Sequence, residues 1–124
     1  MDAINVLNCA AALMDLRGHS NDGAGIWNRS RSLCALEAIA LAEGISRPDY
    51  MRASPAAVRA LAEVIAEPPP AYLDGADAAM QHCAIVFTWN DQPERSRAEV
   101  TAAMRTAAAM LKAREPAKRE AVCV

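Results

Sequence analysis

No stretch of this 124-residue chain reaches the roughly 18 consecutive apolar residues that a membrane span needs. Residues 1–17 have no cationic start and carry Asp2 and Asp15, so no secretory leader is read there and the expected location is cytoplasmic. Charge of one sign is also missing. Thirteen basic and 15 acidic residues in mixed order give a net charge of −2, which disfavours nucleic acid or an anionic membrane as partner. The four cysteines, Cys9, Cys34, Cys83 and Cys123, show no C-x-x-C spacing, so a disulfide framework is not expected. With His19 and His82 they offer no paired spacing for zinc, and neither metal nor cofactor is expected. The glycine-bearing stretch "GHSNDGAG" at 18–25 has no P-loop lysine and no preceding strand, and reads as a connector. No internal repeat is present.

The chain does have alanine. Twenty-nine alanines make up much of its 53% apolar share. They contribute little burial energy each, but they favour helix and let helix backbones approach closely. The expectation is a mainly α single domain over 1–115, of four major helices, with a flexible tail at 116–124 and one short extended segment near 84–89.

The first helix is read in "DAINVLNCAAALMDLR", with Ile4, Leu7, Ala11 and Met14 on one stripe and Gly18 as its stop. Ser30 or Ser32 is the expected cap of the second, "SLCALEAIALAEG", which is apolar on nearly every face and therefore buried. Ser54-Pro55 opens a third, which the triple proline at 68–70 follows. A short helix is read over 74–83, starting near Asp74 or Asp77. "AIVFTW" at 84–89 is β-branched and aromatic and reads as a strand, pairing with "GIWN" at 25–28 or lying extended between helices. Ser96-x-x-Glu99 is a capping box for the last helix, with Pro116 as its latest end.

Together, "SLCALEAIALAEG" and "WNDQPERSRAEVTAAMRTAA" resemble a small uncharacterised domain family of bacteria and phages. Its members carry a Cys-Ala-x-x-Ala helix and, later, Trp-Asn-Asp followed by an Arg-Thr/Ser-x-Glu-Val helix. The likeness covers 27–44 and 85–109. It implies an architecture and candidate residues rather than a reaction.

Trp27, Glu37, Trp89, Asn90 and Asp91 are the candidate binding residues. On the structural reading Trp89 and Asp91 pin the last helix to the core, with Asp91 accepting from backbone amides of the turn before Pro93. On the catalytic reading Cys34, His82 and Asn90 act as nucleophile, base and orienting amide of a cysteine hydrolase or acyl transferase, with His19 as a weaker base. The favoured reading is an accessory or interaction protein whose partner is another protein, with room for a small-molecule ligand. A nucleic-acid-binding regulator would need Arg29, Arg31, Arg47, Arg52 and the arginines of the last helix to converge on one face.

Overall fold

A computed structural model describes residues 2–20 and 32–123, with side chains described as far as residue 115. Helix α1 spans Ala3–Arg17. Asp2 caps it, its carboxylate accepting from the Asn5 amide at 2.9 Å, and Gly18 ends it at a φ of 93°, a backbone conformation that glycine adopts without Cβ strain. Helix α2 spans Ala35–Ala42, and every residue from Leu33 to Ala40 is buried. A 3-10 turn over Arg47–Arg52 leads into α3, Pro55–Ile65, where Ser54 caps and proline takes the first helical position. Helix α4 spans Ala78–Asn90 from a cap at Asp77, and α5 spans Arg97–Cys123.

Helix α1 packs against α5 and α2, α3 packs against α4 and α5, and α2 also meets α3, α4 and the 3-10 turn. The core is built from Leu7, Met14, Leu36, Ile39, Leu61 and Met104, with alanines filling the close approaches between helices. Among the described residues no helix is long and apolar enough to cross a membrane.

The fold is mainly helical as expected, with three local corrections. The stretch 84–89 is not extended; it is the second half of α4. Cys83, Val86 and Asn90, with Ile85 and Trp89 beside them, are buried at helical spacing, so burying that face overrides the β preference of the individual side chains. A helix also satisfies this segment's backbone locally, whereas the described residues contain only an isolated parallel bridge, His19 to Leu33. Its proposed strand partner, 25–28, lies outside the described residues. The cap of α2 is Cys34 rather than Ser30 or Ser32. Finally, α5 continues beyond Pro116 to Cys123. The capping box at its start is present: the Ser96 amide donates to Glu99 Oε1 at 3.2 Å and the Glu99 amide to Ser96 Oγ at 3.2 Å.

Candidate functional site

The Trp-Asn-Asp motif is the last turn and end of α4, and Asn90 is its centre. The Asn90 side chain is fully buried and makes four hydrogen bonds. Its Oδ1 accepts from the Ala35 amide at 3.0 Å, at the first residue of α2, and lies 3.0 Å from His19 Nε2. Its Nδ2 donates to the Ser20 carbonyl at 3.0 Å and to Asp91 Oδ1 at 2.9 Å. An amide side chain has two acceptor lone pairs and two N–H groups, so the bonding capacity of Asn90 is filled. With Oδ1 as the acceptor, His19 donates from Nε2.

A second set of contacts lies beside the first. Cys34 and Glu37 form a capping box in which Cys34 Sγ accepts from the Glu37 amide at 3.4 Å and Glu37 Oε1 accepts from the Cys34 amide at 3.0 Å. Glu37 is fully buried. Its Oε2 pairs with Arg47 Nε, and Arg47 Nη2 donates to the Ser32 carbonyl. A buried carboxylate without a cation would carry a heavy desolvation cost, and Arg47 offsets it while reaching a backbone acceptor.

The two networks grip the two ends of one segment. Asn90 holds Ser20 and Arg47 holds Ser32, while the bridge between the stems adds Ser20 N to Leu33 O and Leu33 N to Gly18 O, both 2.9 Å. Residues 21–31 run between those stems, and Trp27 is among them, outside the described residues. Trp89 locks the other side of the corner. Arg95 stacks its guanidinium 4.2 Å from the indole centroid, donates from Nε to the Trp89 carbonyl at 3.0 Å and pairs with Glu99. Asp91 is the C-cap of α4, and its carboxylate accepts from the Asn90 amide group at 2.9 Å.

The structure brings Cys34, Glu37, Asn90 and Asp91 to one corner but leaves His82 elsewhere. His82 and Asn90 are both on α4, eight residues apart, which separates them by roughly 12 Å along the helix axis. The imidazole beside Asn90 belongs to His19. Cys34 is 1% exposed, and burial pushes its thiol far above its ordinary value, with the Glu37 carboxylate adding to the effect. Among the described residues every buried side-chain nitrogen and oxygen has a hydrogen-bond partner. Such an arrangement can hold backbone in place. Its Cys34 thiol is enclosed and held toward the protonated form.

Arg47, Ser20 and Ser32 had no assigned part in this corner on sequence grounds. One signal was available for Arg47: Glu37 lies in an otherwise apolar helix, and Arg47 is the first cation after it. The backbone carbonyls of Ser20 and Ser32 leave no side-chain signal.

One protein-family model matches residues 1–110, a family of unknown function (DUF6197), and the chain belongs to that family. No curated protein matches the chain, and no solved structure does.

Proposed function

We propose that this member of a family without an assigned activity is an accessory protein that binds another protein through residues 21–31, and that the polar corner holds that segment's ends. The observation that carries this reading is the use of Asn90. All four of its hydrogen bonds go to groups of the chain itself, among them the Ala35 amide and the Ser20 carbonyl. A catalytic amide would leave its orienting role visible beside an accessible nucleophile, whereas Cys34 is enclosed. The segment "NDGAGIWNRSR" supplies an aromatic side chain and two arginines, residue types enriched where proteins bind one another. Trp27 is the intended anchor. Glu37, Trp89, Asn90 and Asp91 act from the corner that holds Ser20 and Ser32, the residues flanking that segment.

The cysteine-hydrolase alternative draws on the His19–Asn90 contact, which is the imidazole–amide half of such a site. The buried thiol and the distant His82 oppose it. The nucleic-acid alternative is opposed by the placement of the arginines: Arg47 pairs with Glu37, Arg95 with Glu99, Arg105 with Asp15 and Arg114 with Glu63.

A photo-crosslinking residue placed at Arg29, and separately at Arg59 on α3, tests the reading in the cell that makes the protein. The expected result is one discrete protein adduct from position 29, absent from position 59 and lost with Trp27→Ala. No adduct from position 29, or the same adduct from both, refutes it.

A further inference from the structure

Cys83 belongs to neither network of the polar corner. Only 8% exposed, it is part of the wall of a cavity of about 190 Å³ whose other lining residues are Met51, Asp77, Ala79 and Met80. Among the described residues its thiol has no hydrogen-bond partner, and burial, then the Asp77 carboxylate, pushes the thiol up from its ordinary value. Met80 and Cys83 are three residues apart on α4 and so share one face, while Met51 comes from the 3-10 turn across the cavity. Both methionines are about half exposed.

The residues lining this one cavity thus include two methionines and a cysteine, whose sulfur atoms are soft donors. Among the described residues no group of three histidine, cysteine, aspartate or glutamate side chains could hold an ion, which disfavours zinc and the harder cations. Thioether and thiolate sulfur select monovalent copper. Methionine side chains have three rotatable bonds and reach a shared ion without moving the backbone.

We propose that Met51, Met80 and Cys83 bind one Cu(I) ion through their three sulfur atoms. On binding, the Cys83 S–H bond breaks and the proton goes to solvent as the copper–sulfur bond forms, while copper stays in the +1 state. The ion neutralises the thiolate that forms. Asp77 keeps its own part, accepting from the Met80 amide at 2.8 Å as the cap of α4. The site is independent of the interaction surface proposed above.

The test is an anaerobic competition for Cu(I) between the full chain and the chromophoric chelator bathocuproine disulfonate, with ascorbate present. Wild type and Cys9→Ser, which removes a more accessible thiol, should each withdraw one equivalent. Met51→Leu/Met80→Leu keeps side-chain size and apolar character, and should weaken binding by about tenfold or more, roughly 1.4 kcal/mol. Cys83→Ala should abolish the high-affinity equivalent. Circular dichroism confirms that each variant is folded, and if Cys83→Ala is not, the methionine pair decides alone. No copper withdrawn by wild type, or undiminished binding in the double methionine variant, overturns the proposal.

Discussion

Replacing Asn90 by alanine removes the group on which three parts of the chain converge. The Ala35 amide, on a residue with no solvent exposure, would lose its side-chain acceptor, and the Ser20 carbonyl, on a residue 7% exposed, would lose a donor. A buried polar group left unpaired costs about 1–3 kcal/mol. His19 and Asp91 are half-buried and can turn to water, so they add less. Two orphaned groups and the vacated amide volume together give about 3–5 kcal/mol, a large share of the roughly 5–15 kcal/mol that holds a domain of this size. With a urea slope near 2 kcal/mol/M, the unfolding midpoint should fall by roughly 2 M. Asn8→Ala, at an exposed position on α1, is the control and should change stability by less than about 0.5 kcal/mol. Asn90→Asp sharpens the test. It keeps the acceptor for Ala35 but turns an acceptor toward Ser20 and Asp91, so it should be as damaging near neutrality. Protonation restores one donor, so that variant should regain part of its stability in mild acid. A loss below about 1 kcal/mol for Asn90→Ala would refute the clamp.

Native-state alkylation separates enclosed thiols from accessible ones: brief iodoacetamide treatment near pH 8 should label Cys9 and leave Cys34 unmodified, and mass spectrometry showing Cys34 labelled first would revive the hydrolase reading. Alkaline stability follows from the same burial. Cys34, Cys83 and Tyr50 are all held above their ordinary values in the fold, 9.0 for the thiols and 10.0 for the phenol. Above about pH 9 the unfolded chain therefore releases protons that the folded chain retains, and stability falls as pH rises, by up to about 1.4 kcal/mol per pH unit for each such group. Urea midpoints measured between pH 8 and 10.5 should decline, and Cys34→Ala should decline less steeply; an equal slope in the variant would show that the Cys34 thiol is not the source.

The parts of the fold legible in the sequence are those set by local chemistry. Gly18 ends α1, Ser54-Pro55 opens α3, and Ser96 with Glu99 opens α5, each through groups within four residues of one another. The cap of α2 was hidden because serine is the usual capping residue and cysteine an unusual one, yet Glu37 three positions after Cys34 was the other half of the box. The start of α4 near Asp77 was legible, but its second half was hidden because Ile85, Val86, Thr88 and Trp89 are strand formers singly, and only the spacing of Cys83, Val86 and Asn90 records which face is buried. At the polar corner, Cys34, Glu37, Asn90 and Asp91 were each identifiable as chemically notable. The partners of Asn90 were not, since His19 and Ser20 are 71 and 70 positions from it and no local pattern links them.

Cys34 shows how two effects of one location compete. Standing at the start of α2, its sulfur meets the positive end of a helix, an attraction for negative charge worth about 0.3–1 kcal/mol at exposed sites and up to roughly 2 kcal/mol when partly buried. That pull favours the thiolate, and on it rests the expectation of reactivity at such a place. Each pKa unit corresponds to about 1.4 kcal/mol, and enclosure among apolar side chains raises a thiol by several units when no cation faces it. Here the nearest charge is the Glu37 carboxylate, of the wrong sign, and the guanidinium that could have helped is paired with that carboxylate instead. Burial therefore outweighs the helix end, and the sulfur stays protonated while accepting the Glu37 amide. A serine at this position would accept the same amide as well or better. Cys34→Ser should accordingly change stability by no more than about 1 kcal/mol, which fits a cap whose chemistry is acceptance of a hydrogen bond rather than nucleophilic attack.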